Sequence, residues 1–360
     1  MSGHADINLK QIINLISFIL IVEGIFMLIG LPFAFYYQDE KPWTLFYSFL
    51  ITSGSGGLLW LFTRTDPKDL VNKKEGFLVV TLTWISISLF GTLPFILSGA
   101  IPSFTDAFYE TMSGFTTTGA SILSDVEILP KGILFWRSMT HWIGGMGIIV
   151  LSIIIMPFLG ISGMQLYTAE MPGVTKDKLH PRISGTARRL WGIYIILTIL
   201  HIVMLLLGGM NLHESMCHAF GSMGTGGFST RNASIGAFSP YIQYVIIIFM
   251  FLAGMNFTLH FFIFNGKIKK VWQDEEFRNY VYIIITFTIV IAGFLVLLSG
   301  TGSSDAFRIA LFQVVSIITT TGYATSDYIT WPGVLWFLLF LLMFVGGMAG
   351  STGGGVKVLR

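Results

Sequence analysis

Thr319-Thr320-Thr321-Gly322-Tyr323-Ala324-Thr325 closes a moderately apolar segment, Ser304–Ile318, and precedes a strongly apolar one, Trp331–Val345. The same arrangement occurs twice earlier. Thr116-Thr117-Thr118-Gly119-Ala120-Ser121 follows Phe104–Phe115, and Gly224-Thr225-Gly226-Gly227-Phe228-Ser229-Thr230 follows Asn211–Met223. Ala107 to Gly119 and Ala310 to Gly322 are both twelve steps, and the glycines at 119, 227 and 322 lie 108 and 95 residues apart. The three preceding segments are 12 to 15 residues long, whereas a membrane crossing needs about 20. Each has a helix start: Ser103 with Asp106, Asn211 with Glu214, and Ser304 with Asp305. One copy would read as an ordinary turn between membrane helices. Three copies in one register define a repeat.

The rest of the chain suits a bilayer. Of its 360 residues 53% are apolar and 11% charged, against about 25% charged in soluble domains. Mean hydropathy is +0.75. The 32 Phe, 9 Trp and 12 Tyr exclude disorder, and a net charge of +2 implies no basic face for nucleic acid. A single cysteine, Cys217, excludes a disulfide framework and a Cys-rich metal site. Eight spans are expected: Ile12–Tyr37, Trp43–Thr63, Gly76–Leu97, Gly132–Leu159, Leu190–Leu207, Phe238–Phe264, Tyr280–Leu298 and Trp331–Val345. The first lacks a basic leader and a cleavage site and reads as a retained helix. With both termini cytoplasmic, sixteen of the 21 Lys and Arg fall inside, and only Lys41, Lys131, Arg137, Arg231 and Arg308 fall outside.

The expected fold is an all-α integral membrane protein of about eight transmembrane helices with three re-entrant half-helices. Residues 1–70 form an extra hairpin. Span, half-helix, loop and span then recur over 71–165, 166–270 and 271–360. A half-helix that enters from outside aims its negative C-terminal end at the middle of the membrane. The chain then returns as extended backbone whose carbonyls can replace the water shell of a cation. Glycine permits the positive φ that this requires. The filter candidates are therefore Thr117, Thr118, Gly119, Thr225, Gly226, Gly227, Thr320, Thr321 and Gly322. With no ring of Asp or Glu, the site fits a monovalent ion held by backbone carbonyls.

These loops resemble those of the Trk/Ktr/HKT potassium transporters, in which one glycine stands for the longer potassium-channel signature. Phe135–Gly147 resembles the second helix of that family's first repeat, and Gly346–Lys357 resembles its intramembrane loop in the third. The extra hairpin resembles the Trk branch. The resemblance implies K+ as transported ion, no organic cofactor, no enzymatic activity, and a bacterial inner-membrane location. It also implies a homodimer and a TrkA-like cytoplasmic subunit that binds nucleotides, for which Ile161–Arg189 and Lys267–Arg278 are the candidate docking segments. The family has four units around one pore. Three are present up to Arg360, so the chain is expected to be a fragment. Six glycines, Gly346, Gly347, Gly350, Gly353, Gly354 and Gly355, cannot hold a rigid helix at about 1 kcal/mol each, and the loop is the candidate gate.

Other signals are weaker. Gly350–Lys357 lacks the Lys-Ser/Thr ending of a phosphate loop. His213 and His218 stand about 140° apart on a helix and would not share a metal. Glu23 sits mid-span, where charge is costly, and calls for the neutral form or a polar partner. His141, His201, His260 and Asn256 read as interhelical hydrogen-bonding groups. Glu110 is expected to make a structural contact behind the filter and Arg137 to snorkel or brace its backbone, while Gly144, Gly145 and Gly147 allow close helix packing. The rival function is an ion-coupled secondary transporter of an organic solute. It needs polar chemistry at mid-membrane, and Glu23 is nearly alone there.

Overall fold

The computed structural model describes residues 7–64, 73–145, 147 and 183–358. These residues are helical, apart from loops and one isolated β-bridge between Val345 and Val356. Five helices among them are long and apolar enough to cross a membrane: Leu9–Tyr36, Thr44–Phe62, Glu75–Ser98, Arg188–Leu207 and Glu275–Ser299. Their outward faces are apolar; Phe62 and Leu297 are 82% and 80% exposed, as lipid contact demands.

The expected spans are modified where the backbone is interrupted. Pro32 and Pro94 restart the helix as short segments, Leu31–Tyr36 and Leu93–Ser98. The buried indole of Trp136 donates to the Gly91 carbonyl at the second break (3.0 Å). Phe238–Phe264 is not one straight helix. Pro240–Ala253 and Phe257–Phe264 meet at 104°. Asn256 caps the second piece by accepting from the Thr258 amide at 2.9 Å. Gly333–Met343 is only 11 residues long. Gly132–Leu159 is described as Lys131–Gly145, and the remainder of that span lies outside the described residues, as does most of Ile161–Arg189. Lys267–Arg278 folds as the short helix Ile268–Gln273 and the first turn of Glu275–Ser299, with Asp274 as N-cap.

The three short helices form as expected, over Phe104–Phe115, Leu212–Met223 and Ser303–Ile318. Ser103 and Asn211 cap the first two by accepting from the Asp106 and Glu214 amides. The third departs from expectation: Gly302 is its N-cap without a side-chain bond, so Ser304 lies inside the helix. Small residues let the first hairpin close tightly. A Cβ on Gly56 would stand 2.7 Å from the Ser17 carbonyl, and Ser53 donates to the Ile21 carbonyl (3.0 Å). Two apolar cores result. One joins this hairpin to the first short helix, and the other surrounds the second and third.

Candidate functional site

Each short helix ends in a loop of the same unusual backbone. Thr117, Thr225 and Thr320 have φ of +53°, +53° and +58°, and Gly119, Gly227 and Gly322, two residues on, have +73°, +80° and +80°. A β-branched residue in this region is a conformational outlier, of the kind that collects at functional sites. The amides point back at the helix ends. Those of Thr118, Gly226 and Thr321 donate to the Ser113, Gly221 and Ser316 carbonyls, each at 2.9 Å. The next amides, of Gly119, Gly227 and Gly322, reach the same carbonyls at 3.5, 3.4 and 3.3 Å. The N–H groups of these residues are thus taken up by the ends of the short helices. The nine candidate filter residues therefore sit at three equivalent places.

The loops touch one another. A Cβ on Gly119 would overlap the Gly226 carbonyl oxygen, and one on Gly227 would overlap that of Thr321, whereas Gly322 faces open space. Gly144 and Gly145 let the helix after the first loop approach the Phe115 carbonyl and the Gly224 Cα, the close packing expected of them.

Behind the loops lies a polar layer that periodicity alone does not reveal. Counting back nine residues from Gly119, Gly227 and Gly322, Glu110, His218 and Gln313 are equivalent. Glu110 accepts from the Ser121 hydroxyl and the Ile122 amide, both at 3.0 Å. His218 Nε2 pairs with the Ser229 hydroxyl at 3.0 Å. The third loop has Ala324 in place of that serine, and Gln313 Oε1 has no hydrogen-bond partner among the described residues. Arg137 Nε meets Glu110 at 2.7 Å with both side chains buried, and its Nη1 donates to the Ser229 carbonyl at 3.3 Å. Phe228 is held between the Arg137 guanidinium, 3.5 Å from its centroid, and the His141 ring, 4.0 Å from it. Glu110 and Arg137 thus make the contacts behind the loops that the sequence suggested.

Several expectations for single polar residues change. His201 makes no interhelical hydrogen bond; its ring stacks on Phe249 at 4.1 Å and both nitrogens are unpartnered among the described residues. Asn256 is a local cap, and His260 bonds the Leu252 carbonyl across the helix break at 2.9 Å. Of these four residues, His141 is the one that bonds outside its own helix region, accepting from the Phe228 amide at 3.4 Å. Glu23 is buried, with neither oxygen partnered among the described residues. His213 bonds the Lys131 carbonyl, away from the His218–Ser229 contact. No group of three His, Cys, Asp or Glu among the described residues could hold a metal.

Gly346–Gly355 is a closed loop. Its ends meet at the Val345–Val356 bridge, where the Gly346 amide donates to the Val356 carbonyl at 2.7 Å. Gly350 and Gly355 have φ of +76° and +75°. The break at 254–256 frees backbone groups that the loop uses. Met348 N–H donates to the Gly254 carbonyl (2.9 Å), and Phe257 N–H donates to that of Gly350 (3.1 Å). Gly354 N–H donates to the Thr320 hydroxyl (2.8 Å), so the loop lies directly against the third Thr/Gly loop. Ala349 N–H donates to Glu276 (2.7 Å), and Lys357 donates to the Gly353 carbonyl.

The family model for TrkH, described as a cation transport protein, matches residues 44–360. The chain is 44% identical over 349 residues to the Trk system potassium uptake protein TrkH of Escherichia coli (strain K12), covering 95% of this chain and 71% of that protein. It is 40% identical to the TrkH of Halomonas elongata, covering 98% of this chain and 74% of that protein. The crystal structure of the potassium transporter TrkH from Vibrio parahaemolyticus superimposes with a TM-score of 0.85 at 38% identity, over 98% of this chain and 73% of that one. These matches do not favour the solute-carrier alternative, and the relatives are cation transporters, not enzymes. The chain belongs to the TrkH family of membrane cation transport proteins.

Proposed function

We propose that this chain is the membrane subunit of a potassium-uptake system. The observation that carries it is the backbone shared by the three loops, left-handed at Thr117, Thr225 and Thr320 and again at Gly119, Gly227 and Gly322. Alternating handedness with inward amides presents successive carbonyls on one side, which is how a backbone replaces the hydration shell of an alkali cation. The relatives named as potassium uptake proteins support K+ as that cation.

K+ enters from outside, sheds water at the loop carbonyls, and passes the Gly346–Gly355 loop into the cytoplasm. That loop acts as the gate. In this reading the three repeats run over 71–165, 166–270 and 271–360 with the hairpin of 1–70 outside them, and the half-helices enter from the outer side. Both termini are cytoplasmic in a bacterial inner membrane. An inside-negative potential favours entry by about 2.3 kcal/mol per charge per 100 mV. A homodimer with a nucleotide-binding cytoplasmic subunit completes the system, and no organic cofactor is needed.

The test is rubidium uptake in bacteria lacking their own potassium-uptake systems and expressing this chain. Gly227→Asp places a charge and a side chain where Gly227 meets the Thr321 carbonyl, and is expected to abolish uptake at unchanged membrane expression. Uptake by this chain that Gly227→Asp leaves undiminished would sink the filter assignment.

A further inference from the structure

We propose that Tyr323 is a positioning residue for the second Thr/Gly loop, its hydroxyl reaching across from the third loop to fill the place that Gly221 leaves empty. This rests on the reading of the three loops as an ion filter.

In the first and third loops, a serine on the short helix fixes the carbonyl one residue beyond the filter glycine. Ser113 donates to the Ala120 carbonyl at 2.6 Å, and Ser316 donates to the Tyr323 carbonyl at 2.6 Å. The second short helix carries Gly221 at that position, so its own chain has no hydroxyl to offer Phe228, the residue after Gly227. The Tyr323 hydroxyl supplies it, donating to the Phe228 carbonyl at 3.0 Å, with the His218 carbonyl 3.3 Å away. Tyr323 is 1% exposed, so no solvent can take over the bond. The two positions are sterically coupled as well. A Cβ on Gly221 would overlap the Tyr323 hydroxyl oxygen, so a serine on the second short helix and the tyrosine hydroxyl exclude each other. One bond is thereby provided at all three loops, twice from within a repeat and once from the neighbour. A buried carbonyl left without its donor is costly. The bond engages this carbonyl from the protein side and thus ends the run that faces the ion.

The bond's net weight corresponds to about a fivefold change in an equilibrium. The measurement is the thermal midpoint of the purified chain in potassium chloride and in sodium chloride, each relative to choline chloride. Binding to the native state raises the midpoint by mass action, so the two increments give an apparent K+:Na+ preference. Tyr323→Phe is expected to lower that preference about fivefold, a change read as the difference between the two increments and so separate from the fall in the choline midpoint that the lost bond brings. Gly221→Ala with Tyr323→Phe should stay low. Gly221→Ser with Tyr323→Phe should recover, because the introduced hydroxyl can donate as Ser113 and Ser316 do. The ring Cζ lies 3.1 Å from the added Cβ, so the ring need shift only by a few tenths of an ångström. A preference unchanged in Tyr323→Phe, or no better with serine than with alanine in place of Gly221, overturns the proposal. Gly322→Ala separates the two readings. If it removes the preference while Tyr323→Phe does not, the filter stands and Tyr323 is only packing. If neither changes it, the filter reading itself fails.

Discussion

Arg137 and Glu110 form a buried ion pair at 2.7 Å that ties the first Thr/Gly loop to the second. Glu110 holds the loop after Gly119 through Ser121 and Ile122, and Arg137 reaches the Ser229 carbonyl after Gly227. Removing one member of such a pair strands the other charge without water. Arg137→Ala is therefore expected to destabilise the protein by about 3–5 kcal/mol. Glu110→Gln with Arg137→Gln should cost less than the single Arg137→Ala change, because no charge remains unpaired. Thermal unfolding of the three purified proteins checks this, and a double variant as unstable as Arg137→Ala would remove the ion pair from the account.

Gly119, Gly227 and Gly322 should respond differently to alanine. All share positive φ, so each substitution carries a backbone strain of about 1–2 kcal/mol. Gly119 and Gly227 also have a neighbouring carbonyl oxygen where the methyl would go, and Gly322 has open space. Gly119→Ala and Gly227→Ala are expected to lower the melting temperature clearly more than Gly322→Ala does. Equal losses at all three would show that strain, and not inter-loop contact, governs them.

That inequality marks the boundary of what the sequence contains. The repeat was legible because its signature is local: a short apolar segment, a capping residue and a Thr/Gly run at fixed spacing. The long apolar spans were legible as membrane helices for the same reason. The break at 254–256 was not, since Gly254-Met255-Asn256 lies inside a continuous apolar run, and what stabilises it is the distant Gly346–Gly355 loop that binds its freed backbone groups. The polar layer behind the loops was half legible. Glu110 and Arg137 stood out as charges in apolar surroundings, whereas Tyr323 drew no separate reading within the Thr319–Thr325 stretch. Gly221 in a position held elsewhere by Ser113 and Ser316 was the available signal, and it gains meaning only when the third loop is placed beside the second.

The segments that follow the first two Thr/Gly loops carry a pH-dependent clamp. Asn232 Nδ2 donates to Asp125 at 2.7 Å, and its Oδ1 accepts from the Val126 amide at 2.8 Å, joining the segments that follow the first and second loops. The Asn232 bond, helped by the Glu127 amide, holds the Asp125 carboxyl below its ordinary value. A depressed carboxylate contributes stability above its unfolded pKa of about 3.9 and loses it as the pH falls through the lower folded value. The melting temperature should thus drop more steeply below about pH 4 in the wild type than in Asn232→Ala, whose Asp125 has lost that partner. Parallel acid limbs would exclude the clamp as a contributor.

Glu276 offers a way to loosen the proposed gate without touching the filter. It stands in the first turn of Glu275–Ser299 and accepts from the Ala349 amide at 2.7 Å, inside the Gly346–Gly355 loop. A hydrogen bond to a charged acceptor contributes about 1.5–3 kcal/mol, more than the neutral bonds that Gly354 and Met348 make elsewhere in the loop. The other contacts keep the chain folded while this one fixes Ala349 within the loop. Glu276→Ala should shift the loop towards withdrawal and raise rubidium uptake by roughly tenfold or more, the effect of losing about 1.5 kcal/mol at the low end of that range. Glu276→Gln retains an acceptor without charge and should give a smaller rise. The ratio of rubidium to sodium uptake should stay at the wild-type value in both, since Thr117–Gly119, Thr225–Gly227 and Thr320–Gly322 are untouched. Reduced uptake in Glu276→Ala at equal expression would mean that the loop must be held in place for ions to pass, and the gate assignment would have to be abandoned.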